Sequence, residues 1–384
     1  MKIEMTAFGQ IQRGCVELAD MTLLVGPQAS GKSIFLQLIK LFYDAPFICE
    51  QLKYYGINWQ EDKSQFLSAY FGEGMNTLIN DRTKIQFDGS YFNIEDKINI
   101  GIKKSKENLL YIPAQRAMVM QTGWPRPFGD YGMDTPFVTK QFSDFIRRLL
   151  NIGIGKSEDD VIFSRERRRF DASIFDHLNN SLFKSAKVVL DKGLQRRIML
   201  QLEDNSRLPF MTWSTGQREF LPLLLGFYGL FQSNRQKNEF IDITIIEEPE
   251  MGLHPNAISA VILTMLELLH RGYKLIVSTH SPHVLDVMWA IKEIKRNQAN
   301  PGLLAELFRI PAFTGDNSVI NDKIFNVYYF SPEDTGTKII DISNLDFNHI
   351  PSWGGLTEFS SQAAKIVAKA ARQGLAKGIS KNDL

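Results

Sequence analysis

Several short stretches of this 384-residue sequence set chemically capable residues in the context their chemistry needs. The first, "MTLLVGPQASGKSIFLQLIKLF", runs from an apolar strand-like segment through Gly26 to Ser33 and into an amphipathic helical pattern. Gly26, Gly31, Lys32 and Ser33 fit G-x-x-x-x-G-K-[ST], with the strand before and the helix after that this motif requires. A loop of Gly26, Pro27, Gln28, Ala29, Ser30 and Gly31 lets the backbone curl so that its N–H groups point at phosphate oxygens. The helix N-terminus adds a favourable dipole. Lys32 is predicted to reach the β- and γ-phosphates, and the Ser33 hydroxyl to ligate Mg²⁺. A Gly-rich turn without ligand competes with this reading, and the complete motif in context disfavours it.

The second stretch, "FIDITIIEEPEMGLHP", carries an apolar β-branched run, Ile241 to Ile246, the pattern of a strand buried on both faces. It ends in Glu247 and Glu248, with Pro249 next. Two carboxylates at the C-terminal end of a buried strand are costly unless they face a cation or a polarised water, and ligands of open α/β sheets bind at that end. Glu247 is assigned to the Mg²⁺ shell and Glu248 to orienting and deprotonating the attacking water. A solvated strand end would suit one Glu better than two before Pro. The third stretch, "YKLIVSTHSPHVLD", ends another buried strand in Ser278, Thr279 and His280, where a His can hydrogen-bond a γ-phosphate or the attacking water. Alone His280 would read as structural, and its place after the Glu pair favours function. His283, after Pro282, reads as a first-turn helix residue.

A fourth stretch, "WSTGQREFLPLLLGFYGLF", opens in polar residues and turns apolar, as a loop entering a buried helix should. Ser214 suits an N-cap there, and an N-cap uses the same unsatisfied N–H groups that a phosphate site uses.

The segments between these stretches must position them. Thr83 to Ile102 alternates apolar and polar residues around Asp88-Gly89 and reads as antiparallel strands, as does Lys187 to Phe210. Between them, Phe142, Phe145, Ile146, Leu149 and Leu150, then Ile174, Phe175, Leu178 and Leu182, have helical spacing and read as core. Gln121 to Pro136, rich in Gly, Pro and aromatics, reads as a long surface loop. The expected organisation is an ATP-binding lobe in two parts, 1–120 and 236–345. A helical lobe, 121–235, is inserted between them, and a basic extension, 346–384, follows.

Taken in order, these motifs resemble the ABC-type ATPase superfamily. "IIEEPEMGLHP" followed by "STHSP" resembles its OLD-like (overcoming lysogenization defect) branch, related to SMC and break-repair heads, rather than transporter subunits. The resemblance covers most of the chain and rests on a handful of short motifs. It implies an α/β P-loop NTPase, an ABC-ATPase-type head with a mixed sheet plus an inserted helical lobe. It implies that "WSTGQ" is the signature motif, with Ser214, Gly216 and Gln217 meeting ATP on a second subunit, while Trp213 and Thr215 depart from L-S-G-G-Q. It also implies a Gln that touches Mg²⁺ and water, and "LLYIPAQRAMV" offers Gln115, although Pro113 and Arg116 would suit a simple turn.

Composition bounds the partners. A hydrophobic fraction of 44%, a charged fraction of 23% and a net charge of +1 give no global pull toward nucleic acid or membrane. Cys15 and Cys49 are the only cysteines, which excludes a disulfide framework and suits a reducing cytoplasm. "MKIEMTAFGQ" does not read as a signal peptide, and no run reaches the roughly 20 apolar residues of a membrane span. Arg165, Arg167, Arg168 and Arg169 form a charge run that reads as a solvated face or as a contact with DNA or RNA phosphates. No zinc spacing, Ser-His-Asp order or paired-Asp nuclease motif stands out, and the C-terminal segment is too short for a Toprim nuclease domain. The expectation is a cytoplasmic Mg²⁺-dependent ATPase that forms at least a dimer around ATP. Its favoured role is the sensor or scaffold of an antiphage complex with a separate nuclease or toxin as effector. A DNA-repair ATPase and a transporter subunit are the alternatives. No sustained heptads support the former, and Glu-Glu-Pro-Glu with Leu-His-Pro disfavours the latter.

Overall fold

A computed structural model describes residues 1–98, 105–151, 161–163, 169–184, 186–193, 196–231, 238–344 and 366. Its frame is a ten-stranded mixed sheet. In chain order the strands are β1 (Lys2–Phe8), β2 (Ile11–Glu17), β3 (Met21–Val25), β4 (Lys84–Phe87), β5 (Ser90–Tyr91) and β6 (Leu109–Ile112). A separate three-stranded antiparallel sheet of β7 (Lys187–Asp191), β8 (Arg197–Gln201) and β9 (Arg207–Pro209) comes next. The chain then returns with β10 (Ile243–Glu247), β11 (Lys274–Thr279), β12 (Phe325–Glu333) and β13 (Gly336–Asp341). The order across the large sheet is β5-β4-β1-β2-β13-β12-β3-β11-β10-β6.

β12, β3, β11, β10 and β6 run parallel, each to the next. The inner strands β3, β10 and β11 are apolar and almost wholly buried, as a parallel sheet covered on both faces requires. Parallel pairing needs helical crossovers, and these supply the covering layers. On one face lie α1 (Lys32–Tyr54) and α2 (Lys63–Phe71), whose apolar residues join those of β1, β2 and β4 in one core. α3 (Ile94–Ile98) packs beside them. On the other face α4 (Phe137–Leu149), α5 (Ala172–Leu182), α6 (Thr215–Leu230), α7 (Pro255–His270) and α8 (Pro282–Arg296) build a second core against Leu23, Val25, Leu110 and Ile112. The short α9 (Leu303–Leu307) and α10 (Asp316–Asn321) close it beside α8. Within 121–235, the small sheet and α5 and α6 share this core with the large sheet, while α4 divides its apolar residues, Phe142 and Ile146 here and Phe137 and Val138 in the first core. Among the described residues, no helix is long and apolar enough to cross a membrane.

α1 kinks at Asp44, just before Pro46, whose missing N–H breaks the helical ladder. The kink is used as an anchor. Buried Lys40 bridges Asp44 (2.7 Å) and Glu107 (2.8 Å), while Asp44 accepts the Asn108 and Leu109 amides at 3.0 and 3.1 Å. One ion cluster thereby fixes the start of β6 against the helix that follows the Gly-rich loop.

Thr83 to Ile102 departs from expectation in part. β4 and β5 pair around Asp88-Gly89, but the chain then enters α3. Ile94 and Ile98 are spaced for one helix face as well as for one strand face, and both are buried. The Asn93 side chain favours the helix by accepting the Glu95 amide at 3.0 Å. Residues 99–104 of that stretch lie outside the described residues. Gln121 to Pro136 is no free surface loop. Phe128 is buried and stacks on Tyr55 at 4.1 Å, and the Gly123 carbonyl accepts the Ile198 amide at 2.9 Å.

Candidate functional site

Four parallel strands finish at one edge of the sheet. Glu247 pairs with Ser278, Ser278 with Leu24, Thr279 with Val25, and Ile246 with Ile112. The residues that follow these ends are therefore neighbours although up to 254 positions separate them. After β3 the chain takes positive φ at Gly26 (146°), Ala29 (57°) and Gly31 (95°), and Lys32 opens α1. Gly31 caps α1 without any side-chain hydrogen bond, so the first helical N–H groups keep no side-chain partner. A side chain at Gly31 would strain that backbone and meet Ile11 at 2.9 Å. Pro27, Gln28 and Ala29 are exposed, while Ser30 and Lys32 are buried. The Lys32 ammonium donates to Gly26 O (2.9 Å), Pro27 O (2.7 Å) and Ser30 Oγ (3.2 Å), folding back across the loop.

Burial pushes Lys32 down to about 8, against the pull of Glu248, Glu247 and Glu250. An anion that pairs with this ammonium restores its proton, so binding and protonation are linked. ATP binding near pH 8 is expected to draw protons from the buffer. Titration calorimetry in two buffers of different ionisation enthalpy measures this uptake, which should shrink at pH 6.5, where Lys32 is already charged, and vanish in Lys32→Met.

Glu247, at the end of β10, is buried and accepts the Ala114 amide at Oε2 (3.2 Å). Burial raises its pKa, against the pull of the nearby Ser33 hydroxyl, the Ala114 amide and the Tyr111 hydroxyl. Its Oε1 is buried and, among the described residues, has no hydrogen-bond partner of ordinary geometry. An orphaned carboxylate oxygen next to a Ser hydroxyl is what a hard divalent cation completes, so the residues present fit Mg²⁺. Among the described residues no three His, Cys, Asp or Glu cluster as a metal cage. The fit is that of a cation held also by phosphates and water rather than by protein alone.

Glu248 adopts φ 42°, a left-handed conformation costing a non-glycine residue about 1–2 kcal/mol. Its Oε1 lies 3.1 Å from His280 Nε2, and this hydrogen bond lowers its pKa, so it is an anion at neutral pH. His280 is itself held by its amide, which donates to Glu250 Oε1 at 2.7 Å; Thr279 Oγ1 donates to the same oxygen at 2.8 Å. Lys32, Ser33, Glu247, Glu248 and His280 are thus brought together. Gln115 is exposed and follows Ala114, whose amide meets Glu247.

Ser214 is the N-cap of α6 in a full capping box. Its Oγ accepts the Gln217 amide (3.3 Å), and its own amide donates to Gln217 Oε1 (3.1 Å). The Gln217 Nε2 donates to Leu182 O at 3.0 Å, so both polar ends of that side chain are engaged inside the chain rather than turned outward. Ser214 and Thr215 are exposed. Gly216 faces the turn after β10, where an added Cβ would lie 2.9 Å from Gly252 O. Trp213 is buried with its Nε1 donating to Leu208 O, which explains an aromatic at that position.

Arg169 turns inward onto the chain itself. Its Nη1 donates to Tyr228 O and Phe231 O, both at 2.8 Å, and its guanidinium lies 4.1 Å from the Tyr228 ring. It satisfies carbonyls at the C-terminal end of α6, which helix termini leave unpaired. Arg165, Arg167 and Arg168 lie outside the described residues, as does the basic C-terminal stretch apart from Ile366.

Two residues of the site have no place in the motif reading. Glu250 was legible only as a third carboxylate after Pro249. Arg116 is fully buried and donates to main-chain carbonyls on both sides of the site. Backbone acceptors leave no side-chain signal in a sequence.

Residues 135–285, less than half of the chain, match the family profile of the AAA ATPase domain. Among curated proteins, the Old nuclease of Escherichia phage P2 is 32% identical over 74 residues, 19% of this chain and 13% of that protein. The chain therefore spans a small part of that relative's length. Among solved structures, an SMC head bound to the C-terminal winged-helix domain of ScpA aligns with a TM-score of 0.43 at 9% identity, over 89% of this chain and 97% of that one. The SMC head domain from Thermotoga maritima aligns at 0.34 and 12% identity, over 89% and 98%. A dimeric bacterial ABC transporter cassette aligns at 0.34 and 11% identity, over 73% and 89%.

Proposed function

We propose that this protein is an Mg²⁺-dependent ATPase that closes as a dimer or larger assembly around ATP. The observation that carries the reading is the convergence of Lys32, Ser33, orphaned Glu247 Oε1 and the Glu248–His280 pair at the ends of neighbouring parallel strands. The backbone of Gly26 to Ser33 cradles the phosphates, and Lys32 exchanges its loop carbonyls for phosphate oxygens. Ser33 and Glu247, with Gln115 next to the Ala114 amide that Glu247 accepts, would hold Mg²⁺, which when bound would offset charge on the phosphates. Glu248 accepts a proton from the attacking water, and His280 steers that carboxylate and senses the γ-phosphate. Ser214 and Gly216, with Gln217 fixing the cap, present the N-terminus of α6 to the nucleotide of a second subunit. Loss of γ-phosphate contacts made only in the closed form then releases the clamp.

We further propose that this cytoplasmic engine is the sensor or scaffold ATPase of an antiphage defence complex acting on a separate effector. Supporting this are the OLD-like motif order and the similarity to the phage P2 Old nuclease. Expression with its genomic neighbours is expected to lower phage plating by orders of magnitude, with full plating restored by Lys32→Ala. Equal plating with the active and Lys32→Ala proteins would sink the defence role while leaving the ATPase reading intact.

A further inference from the structure

Arg116 belongs to no motif, yet its guanidinium donates to the main chain of both Glu247 and Glu248. Its side chain is fully buried. Nε donates to Glu219 O (3.1 Å), Nη1 to Glu247 O (3.0 Å), and Nη2 to Glu248 O (3.1 Å) and Pro249 O (3.4 Å). The acceptors belong to two elements, the first turns of α6 and the turn that leaves β10. In that second element Glu248 has φ 42°, a conformation that persists in a non-glycine residue only when its surroundings over-determine it. The same two elements also meet where Gly216 approaches Gly252 O. Burial lowers Arg116 to about 10, which leaves it a cation at neutral pH among Glu219, Glu250, Glu248 and Glu247.

We propose that Arg116 is a positioning residue that ties the left-handed turn aiming Glu248 to the start of α6, so that the reach of Glu248 depends on where α6 sits. The inference rests on the ATPase reading above and deepens it. α6 begins at the Ser214 cap, the segment a subunit offers to its partner's nucleotide, while Glu248 serves the nucleotide the subunit houses. One guanidinium joins the two. Lys cannot replace it, because an ammonium has no planar fork to hold acceptors on both elements at once.

The test is Arg116→Lys in the full chain, with steady-state ATP turnover in Mg²⁺, titration with a fluorescent ATP analogue, and thermal unfolding to verify the fold. The expected result is a loss in kcat of about 10²-fold, the scale of an approximately 1 Å misplacement, with KM and analogue affinity within about threefold of wild type. A folded Arg116→Lys protein with kcat within twofold of wild type overturns the inference, as does a loss carried by nucleotide affinity alone. Should that variant fail to fold, Arg116→Gln, which keeps a planar donor, is read by the same split. A wild-type protein without Mg²⁺-dependent turnover would overturn the ATPase reading and this inference together. Wild-type turnover with an indifferent Arg116 would overturn the inference only.

Discussion

Glu248→Gln is expected to lower kcat for ATP hydrolysis by about 10²–10⁴-fold, the span a positioned general base contributes, while nucleotide binding survives. The argument begins with the His280 hydrogen bond, which holds the Glu248 carboxylate anionic at neutral pH and so able to take a proton. An amide has the same shape and accepts His280 through its oxygen, but it cannot take up the proton of an attacking water. Lys32 and the Gly26–Ser33 loop are untouched, so affinity should stay within about threefold. Steady-state phosphate release and equilibrium nucleotide binding, measured on one preparation, separate the two quantities. Wild-type turnover in Glu248→Gln would mean that Glu248 is not the base.

Glu247→Gln should act in two directions at once. The wild-type carboxylate is buried, and among the described residues its Oε1 has no hydrogen-bond partner of ordinary geometry. Leaving such a group unsatisfied costs about 1–3 kcal/mol, and a charge raises the cost. Without metal, the neutral amide is therefore expected to stabilise the fold by about 1–2 kcal/mol at pH 7. Because burial raises the Glu247 pKa in the fold, the wild-type penalty is absent below the ordinary carboxylate range. It grows as pH rises through the folded-state value. The advantage of Gln should accordingly be present at pH 7 and disappear under acid, as denaturant unfolding at both pH values measures. Turnover should move the other way, falling by at least about 10²-fold as the anionic cation ligand is lost. A variant less stable than wild type at pH 7 in metal-free buffer, or one with full turnover, would contradict the assignment.

What was legible in the sequence has a common physical form. β3, β10 and β11 are short apolar runs that end in polar residues, and buried strands leave that trace because their interiors tolerate nothing else. Glu247, Glu248 and His280 stand where those runs stop, and the structure sets them beside the loop from Gly26 to Ser33. The capping box of Ser214 and Gln217 is similarly local. What was illegible depended on contacts distant in sequence or made to backbone. Arg116 reads as part of a turn because its acceptors are carbonyls 103 to 133 residues away. Arg169 sits in a charge run, yet its guanidinium donates to carbonyls at the end of α6. Ile94 and Ile98 fit a strand and a helix equally, and only the Asn93 cap separates them. The small sheet of β7 to β9 reads correctly as strands, but its merger into the core of the large sheet is a matter of packing.

Sedimentation of Glu248→Gln with and without ATP and Mg²⁺ tests the central claim most directly. A base-deficient protein that still binds nucleotide should stay closed, because the contacts that hold the clamp are no longer hydrolysed away. The account predicts a monomer without ATP and a dimer or larger assembly with it, and the assembly should be lost when Ser214 is changed to Arg in the same protein. A monomer under both conditions, in a preparation shown to bind ATP, would contradict it.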